Sequence, residues 1–205
     1  MLGAGGMIPG DKGFLRLLRE VSREVGAVLI FDEVITSRLH INGLQGMYGI
    51  KPDMTTLGKY FGGGFSFGAF GGKAEIMNLF SPFGGTLSHS GTFNNNIFTM
   101  TAAVKTFELV TKEEIERVNG LGNLLRDRGN EIAKNYPLKL TGIGSAVGFQ
   151  FARENKDVKG DIFYFFLLQK GIMVGRRGFV SLNLVHERSH VEKLLDAIRE
   201  FVETF

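Results

Sequence analysis

The chain has 205 residues, enough for one domain or two small ones, and its 43% hydrophobic and 22% charged content is that of an ordinary globular protein. Its 24 basic and 21 acidic residues are dispersed, which argues against a nucleic-acid-binding protein. It contains no cysteine, which excludes disulfides and thiolate metal sites. No apolar stretch is long enough to cross a membrane, and residues 1–11 lack the pattern of a secretory signal. We therefore expect a soluble cytoplasmic protein.

The first predicted elements are a helix and a buried strand. Apolar residues at helical spacing follow Asp11 and predict a helix that ends before Gly26; these residues are Phe14, Leu17, Leu18, Val21 and Val25. The continuous apolar run from Ala27 to Phe31 predicts a strand buried on both faces. A helix followed by a buried strand is typical of a parallel α/β sheet, in which ligands bind beyond the C-terminal ends of the strands. Asp32 lies at such an end.

Shorter elements are predicted over the next part of the chain. Strands are expected at 54–57 and 67–70, with a short helix over 74–80. An irregular loop over 81–93 leads to a helix from about Asn94 to Val110, because apolar residues recur there at helical spacing.

The pattern of elements changes near residue 110, where we predict a domain boundary. The sequence T-K-E-E from Thr111 to Glu114 forms a capping box, which predicts a helix reaching about Asn135. Two strands of a small antiparallel sheet, a helix, a third strand and a final helix are expected after it, at 138–144, 146–152, 160–170, 179–185 and 190–204. Residues 1–110 are thus predicted to belong to an α/β domain, and residues 111–205 to a linking helix and a small α+β domain.

Lys59 and Asp32 form the most informative pair of residues. Lys59 follows Asp32 by 27 positions and sits between Gly58 and a glycine-rich run over 62–72. Each residue alone has a plain interpretation, a solvated loop lysine and a capping acid. Together with glycines that permit close approach of the backbone, the pair suits pyridoxal phosphate (PLP). The lysine would form a Schiff base with the aldehyde, and the acid would keep the pyridine nitrogen protonated. A partly buried pocket would favour the neutral amine by lowering the lysine pKa.

Two further motifs have both a plain and a functional interpretation. Gly91-Thr92 precedes the helix expected at Asn94, so it either caps that helix or binds a phosphate group near the helix start. Arg176-Arg177 leads into a strand of the small domain, so it is either a solvated turn or a fork for a substrate carboxylate.

A zinc site is not expected, although residues 186–190 match the pattern H-E-x-x-H. Zinc binding by this pattern needs both histidines on one face of a helix. Ser189 and Glu192 form a capping box, which predicts that the helix begins at about Ser189 and leaves His186 outside it. We therefore predict no metal.

Several motifs together resemble the class III (fold type I) PLP-dependent aminotransferases. The motifs are F-D-E-V-I-T-S-R-L at 31–39, P-D-M-T-T-L-G-K at 52–59, G-G-G-F-S-F-G-A-F-G-G at 62–72, H-S-G-T-F-N-N-N at 89–96, T-G-I-G-S at 141–145 and R-R-G-F-V-S-L-N-L at 176–184. The resemblance spans essentially the whole chain. It points to the branch containing glutamate-1-semialdehyde aminomutase and the β-phenylalanine aminotransferases, and S-R-L with F-N-N-N looks more like the β-amino-acid enzymes.

The resemblance implies a role for each candidate residue. Lys59 would be the Schiff-base lysine and proton shuttle, Asp32 would pair with the pyridine nitrogen, and Val34 would pack against the ring. Thr92 would bind the phosphate of the neighbouring subunit's cofactor, which implies a homodimer. Arg177 would contact a substrate carboxylate. The implied ligands are PLP, an amino acid and a keto acid, without nucleic acid, membrane or metal.

The resemblance also implies which part of the family fold is present. Residues 1–110 would be the C-terminal part of the PLP-binding large domain, with a mainly parallel sheet, and residues 111–205 the linking helix and small α+β domain. Family members are about twice as long, and their first half would hold the phosphate cup and the aromatic residue that stacks on the ring.

Three functions follow from this resemblance. The first is PLP-dependent transamination of an amino acid or β-amino acid with a keto-acid acceptor. The second is a 2,1-aminomutase of the glutamate-1-semialdehyde type. The third is a non-catalytic fragment or remnant that pairs with a full-length homologue.

Overall fold

Residues 1–152 and 156–205 are described by a computed structural model, and their contacts divide them into two units. The middle unit comprises Asp11–Lys112. The terminal unit comprises Met1–Gly10 together with Glu113–Phe205. The predicted boundary near residue 110 lies close to the end of the middle unit, but the first ten residues group with the C-terminal part of the chain. The interpretation of the two units as parts of a large and a small domain stays a prediction.

The middle unit contains four helices and a three-stranded sheet. In chain order they are α1 (Lys12–Glu24), β1 (Ile30–Asp32), α2 (Gly43–Tyr48), β2 (Met54–Gly58), β3 (Gly68–Gly72), α3 (Ala74–Met77) and α4 (Ile97–Leu109). The strand order is β1-β2-β3, with β1 parallel and β3 antiparallel to β2. The parallel pair, with its helices, confirms the predicted α/β class.

The prediction that strand β1 is buried on both faces is wrong. Only residues 30–32 form the strand, and Ile30 is 52% exposed. The apolar run predicted a central strand, but among the described residues β1 has a strand partner on one side only, namely β2. Its apolar side chains therefore lack the neighbours that a central strand would have.

Helix α1 forms where the sequence predicts it, but its polar side is buried and its apolar side is exposed. Asp11 caps its first turn by accepting a hydrogen bond from the backbone N–H of Phe14 at 2.8 Å. The buried side chains of the helix are the polar Arg19 and Ser22, whereas its apolar stripe is exposed. The amphipathic pattern therefore predicts the helix, but the apolar side chains of the helix do not pack into a core of this unit.

Asp53 explains why the polar side of α1 is buried. Its carboxylate accepts hydrogen bonds from the backbone N–H of Leu29 at 2.8 Å and from the Arg19 guanidinium at 2.9 Å, and Lys73 Nζ lies 2.9 Å from its other oxygen. The Leu29 hydrogen bond, followed by Lys73 and Arg19, holds the pKa of the Asp53 carboxyl well below its usual range. This cluster connects α1 to three segments: the residue before β1, the residue before β2 and the residue after β3.

The terminal unit is an antiparallel sheet packed against helices. Its elements are α5 (Lys112–Ile132), β4 (Leu138–Ile143), β5 (Ala146–Phe151), α6 (Lys156–Gln169), β6 (Phe179–Ser181) and α7 (Arg188–Thr204). The sheet order is β4-β5-β6, and both pairings are antiparallel. These elements confirm the predicted α+β pattern, although the strand predicted over 179–185 ends at Ser181.

A continuous hydrophobic core fills the terminal unit. Helices α5, α6 and α7 and all three strands contribute to it, and Leu125, Leu167, Leu195 and Ile198 have no exposed surface. Phe201 lies at its centre, with the ring of Phe163 4.9 Å away, centroid to centroid. Helices and strands thus share one closed core here.

A hydrogen bond to β4 joins the first ten residues to this unit. Leu2 and Ile8 pair across a tight loop, and the hydroxyl of Thr141 on β4 donates a hydrogen bond to the carbonyl of Gly6 at 2.5 Å. Across residues 1–152 and 156–205, none of the helices has both the length and the apolar character needed to cross a bilayer.

Candidate active site

Asp32 and Lys59 lie at the same edge of the middle sheet. Asp32 is the last residue of β1 and pairs with Thr56 of β2, and Lys59 directly follows the last residue of β2. Because the two strands are parallel, their C-terminal ends meet at one edge, where open α/β sheets bind ligands. Both side chains are exposed. The carboxylate and the amine are therefore presented at one accessible edge.

The segment after β1 is folded back by a local hydrogen bond. The Asp32 carboxylate accepts a hydrogen bond from the backbone N–H of Val34 at 3.0 Å, the pattern of an Asx turn. A methyl carbon of Val34 would lie 3.4 Å from a Cβ on Gly58, so Val34 packs beside the residue that precedes Lys59. The turn thus places Val34 beside the segment that carries Lys59, and the cofactor-binding roles of these residues stay predictions.

Lys59 has an unusual backbone conformation. Its φ is +55°, in the left-handed region that side-chain-bearing residues rarely occupy. Such a conformation costs on the order of 1–3 kcal/mol and persists only where the surroundings enforce it. A Cβ on Gly58 would lie 3.2 Å from the Phe67 carbonyl oxygen, closer than ordinary van der Waals contact. Glycine before Lys59 therefore allows the backbone to pass close to the Phe67 carbonyl.

Tyr60, next to Lys59, was not singled out by the sequence. Its ring stacks on Phe61 with centroids 4.3 Å apart. Burial raises the pKa of the Tyr60 phenol, against the opposing effects of Ser37 and the Arg38 guanidinium. The phenol is therefore neutral near pH 7, and the stacked pair gives the Lys59 turn an apolar support.

Glu33 is a second residue that the sequence did not single out. It is 2% exposed and accepts hydrogen bonds from the hydroxyl of Thr36 and from the backbone N–H groups of Leu44, at 3.0 Å, and Gln45, at 2.6 Å. It thus fixes the loop between β1 and β2 at the start of α2. The D-E-V motif indicates that Asp32 and Glu33 point in opposite directions, because consecutive residues of a strand do so. The hydrogen-bond partners of Glu33 lie eleven and twelve positions away and cannot be predicted from the motif.

Thr92 lies in an exposed turn rather than at the start of a helix. The cap of α4 is Asn96, whose side chain accepts a hydrogen bond from the backbone N–H of Thr99 at 3.0 Å. The interpretation of Gly91-Thr92 as a helix cap is therefore wrong, since the helix begins at Ile97. A phosphate-binding role of Thr92 stays a prediction.

Arg176 and Arg177 differ in their partners within the terminal unit. Arg176 forms a two-pronged ion pair with Asp161, at 3.0 and 3.1 Å, and this hydrogen bonding raises the pKa of Arg176. Arg177 is exposed, and its guanidinium lies 6.0 Å from the centroid of the Phe179 ring. Both line a cavity of about 500 Å³ in this unit. Because Arg176 is engaged by Asp161, Arg177 is the better candidate for an external carboxylate.

The H-E-x-x-H segment adopts a capping structure. Helix α7 begins at Arg188, so His186 lies outside it as predicted. The predicted cap at Ser189 is wrong: Glu187 is the cap, and its backbone N–H donates a hydrogen bond to Nδ1 of His190 at 3.0 Å. Within the described ranges, no group of three potential metal ligands is present.

Comparison with known proteins agrees with this geometry. The family model for class III aminotransferases matches residues 1–202. The chain is 43% identical to β-phenylalanine transaminase of Variovorax paradoxus, over 98% of this chain and 50% of that protein. It is 37% identical to glutamate-1-semialdehyde 2,1-aminomutase 1 of Staphylococcus epidermidis, over 94% of this chain and 48% of that protein.

A solved structure shows the same fold. The crystal structure of a β-phenylalanine aminotransferase from Variovorax paradoxus superposes with a TM-score of 0.96 at 42% identity, over 99% of this chain and 50% of that one. The fold is therefore that of about half a fold type I aminotransferase, and the chain spans about half the length of the relatives it matches. On this basis the chain belongs to the class III aminotransferase family.

Proposed function

We propose that this chain contributes to PLP-dependent transamination of an amino acid or β-amino acid, with a keto acid as amine acceptor. The observation that carries the proposal is the placement of Asp32 and Lys59 at the ends of adjacent parallel strands in a member of this family. The relative from Variovorax paradoxus is a β-phenylalanine transaminase, and another neighbour of the fold is described as a transaminase with PLP bound.

The residues present fit such a cofactor. An exposed primary amine and an exposed carboxylate lie at one sheet edge, and Gly58 leaves the space beside Val34 that a side chain would fill. The glycine cluster after Lys59 permits backbone close to a bound group, with left-handed Gly63 and Gly64. These features match an aldehyde-bearing aromatic ring with a basic nitrogen.

When bound, PLP acts as an electron sink for the bond broken at the substrate carbon. Lys59 would supply the amine that holds the aldehyde, and its Nζ would accept a proton from the substrate carbon and donate one back. The Asp32 carboxylate would accept a hydrogen bond from the ring nitrogen, and Val34 would pack against a ring face.

Two further residues have proposed roles in binding. Arg177 would bind a substrate carboxylate, and Thr92 would bind the phosphate group of the cofactor in a neighbouring subunit. Large exposed apolar side chains beside Thr92 support a subunit interface there; they are Phe93, Ile97 and Phe98. We propose a homodimer on this basis. The lack of cysteine is compatible with the reducing cytoplasm, where we place the protein.

A 2,1-aminomutase is the second candidate, favoured by the 37% identity to the aminomutase of Staphylococcus epidermidis. An aminomutase moves the amine within one substrate, so it turns over without added keto acid. A transaminase stops after one half-reaction unless a keto acid is present. Turnover of a β-amino acid and of glutamate-1-semialdehyde, each measured with and without a keto acid, separates the two.

Covalent labelling tests the proposed role of Lys59. The purified chain is incubated with PLP, reduced with borohydride and digested, and the labelled peptide is identified by mass spectrometry. We expect the label on Lys59, together with a visible absorbance band before reduction. Both signals should be lost in Lys59→Arg.

Lys51→Arg is the matched control, because Lys51 is another exposed lysine of the middle unit. It should leave the labelling of Lys59 unchanged. Equal labelling of both lysines, or no labelling of a folded chain, would count against the proposal for this chain. The third alternative, a non-catalytic partner of a longer homologue, would then be favoured.

A further inference from the structure

The capping box of α7 has a histidine where this motif usually has a glutamate or glutamine. In the usual form, that third residue of the helix accepts a hydrogen bond from the backbone N–H of the cap. Here Nδ1 of His190 accepts the hydrogen bond from the backbone N–H of Glu187 at 3.0 Å, and the Glu187 side chain accepts one from the backbone N–H of His190. His190 is exposed to solvent. The start of α7 thus depends on an acceptor that can bind a proton from water.

The hydrogen bond to His190 requires an unprotonated Nδ1. A neutral imidazole has one donor and one acceptor nitrogen, so the proton of this ring lies on Nε2. An imidazolium carries protons on both nitrogens and has no acceptor. Histidine is the side chain whose charge ordinarily changes between about pH 5 and 8. Protonation of Nδ1 would therefore place one N–H opposite another and break the bond.

We infer that His190 is a pH-sensitive switch that opens the first turn of α7 when the imidazole binds a proton. The added charge acts in the same direction as the lost bond, because the first turn of a helix favours anions over cations. The His186 ring lies 5.7 Å away, centroid to centroid, and would repel the His190 ring when both are charged. The inference does not depend on the proposed function, because the switch involves neither cofactor nor substrate.

Charges of both signs surround His190 on α7 itself. The Glu187 carboxylate favours the imidazolium, and Arg188 opposes it. Glu192 is engaged by Arg188 at 3.3 Å and by Arg128 of α5 at 2.6 Å. Nζ of Lys193 points toward the end of α6, 3.7 Å from the position of a Cβ on Gly171. The effects of Glu187 and Arg188 are opposite in sign, so the lost hydrogen bond determines the direction of the response.

Helix α5 holds the segment that precedes the switch. Arg117 donates hydrogen bonds to the carbonyls of Leu184, at 2.7 Å, and His186, at 2.9 Å, and to the Glu114 carboxylate. The charge of Arg117 also interacts with that of Glu187. The hydrogen bond from Arg117 lowers the pKa of Glu114, so this pair stays charged when imidazoles titrate. Opening is therefore confined to the first turn of α7.

His186 differs from His190 in what protonation does to its contacts. Its Nδ1 accepts a hydrogen bond from the backbone N–H of Asn183 at 3.1 Å, and Oδ1 of Asn183 lies 2.8 Å from the same nitrogen. A protonated Nδ1 donates to that oxygen, so one hydrogen bond replaces the other. Among the described residues, Nδ1 of His190 has no such acceptor beside it. His186 is therefore the matched control for His190.

NMR spectroscopy of the isotope-labelled full chain tests the inference. The ring resonances of His190 report its protonation, and the exchange of the Glu187 backbone N–H with water reports the hydrogen bond. Protection is the ratio of the intrinsic to the observed exchange rate. We expect Nδ1 to be unprotonated at about pH 7.5, and protection of Glu187 to fall about fivefold by about pH 5.5, with the midpoint of the ring titration.

Three variants separate the switch from a general effect of acid. His190→Gln keeps an acceptor at this position of the capping box but does not titrate, so protection of Glu187 should persist at both pH values. His190→Ala removes the acceptor, so protection should be low at both. His186→Gln removes the other imidazole and should leave the pH response unchanged.

Constant protection of Glu187 while His190 titrates would overturn the inference, and the wild-type chain alone suffices for this result. An unchanged pH response in His190→Gln, or loss of the response in His186→Gln, would also overturn it. Lys59→Arg should respond to pH as the wild type does. A working switch in a chain whose Lys59 is not labelled by PLP would therefore refute the proposed function and leave the switch standing.

Discussion

The two units of this chain are stabilised in different ways. The terminal unit encloses a continuous aromatic and aliphatic core to which three helices and three strands contribute. The middle unit has few buried hydrophobic side chains among its described residues, namely Leu39, Leu44, Ile50, Phe61 and Ala103. Its best-connected buried groups are instead carboxylates, Glu33 and Asp53. One unit is closed by apolar packing, and the other depends on polar anchors.

The two units also differ in how much apolar surface they expose. Apolar side chains of the middle unit are plentiful but lie on the outside of α1, β1 and α4. Burial of apolar surface is the dominant favourable contribution both to folding and to protein association. Apolar surface that is exposed in the middle unit can therefore still contribute to association. The unit that carries Lys59 is thus the one whose stability should respond to partners.

The largest effect is expected from Phe201→Ala in the terminal unit. Phe201 is 1% exposed and contacts the rings of Phe151, Phe163 and Phe166. Removing its ring leaves a cavity and should lower the free energy of unfolding by about 4 kcal/mol. The change is measured by urea unfolding, with hydrogen exchange of the α7 amides as the probe.

Phe14→Ala is the matched control, because Phe14 is also an aromatic residue on an amphipathic helix but is 55% exposed. Its effect on the chain alone should stay within about 0.5 kcal/mol. Similar losses for Phe14→Ala and Phe201→Ala would show that the α1 stripe is packed after all, and the contrast between the units would fail.

A smaller loss is expected from Glu33→Ala in the middle unit. The substitution removes the acceptor of three hydrogen bonds and leaves unpaired the buried donors of Thr36 and Leu44 and the half-buried donor of Gln45. The free energy of unfolding of this unit should fall by about 3 kcal/mol. Hydrogen exchange of the α2 amides measures it, and Glu33→Gln, which keeps one acceptor oxygen, should lie between wild type and Glu33→Ala. An unchanged α2 in Glu33→Ala would mean that Glu33 does not anchor this loop.

The smallest effect is a selective acid sensitivity of the middle unit. The pKa of Asp53 is lower in the folded chain than in the unfolded chain, where it is about 3.9. The stability that Asp53 contributes is therefore fully present above the unfolded pKa and is lost as the pH falls through the folded pKa. Exchange protection of α1 should decline over this range, and in Asp53→Asn it should already be reduced at neutral pH and depend less on acid.

Asp161→Asn is the control for this acid effect. Asp161 also has a lowered pKa, caused mainly by the hydrogen bond from Arg176, but both partners are exposed at the surface. An exposed ion pair contributes little to stability. An acid response of α1 that persists unchanged in Asp53→Asn would assign the effect to another group.

The sequence predicted the elements better than their surroundings. Periodicity located α1, α4 and α7 to within a few residues, because helical spacing is a local property of the chain. It predicted that β1 is buried on both faces, because an apolar run is typical of a central strand. The run does not indicate how many neighbouring strands are present, and Ile30 is exposed.

The sequence indicates the motif residues of the candidate site but not the residues that hold the surrounding segments in place. Asp32, Val34 and Lys59 stand out because their motifs are compact in sequence. Glu33, Tyr60 and Asp53 act through partners in other elements, so their roles appear only when the chain is folded. The left-handed backbone of Lys59 is visible only in the folded chain, because no local sequence pattern indicates it.

The grouping of Met1–Gly10 with the C-terminal residues has a consequence for biosynthesis. Gly6 and its hydrogen-bond partner Thr141 are 135 positions apart, and the whole middle unit lies between them. A ribosome releases the chain from its N-terminus, and units generally fold as they emerge. The middle unit is therefore fully translated while the first ten residues still await β4 and β5. Of these two units, the one with the closed core is therefore completed second.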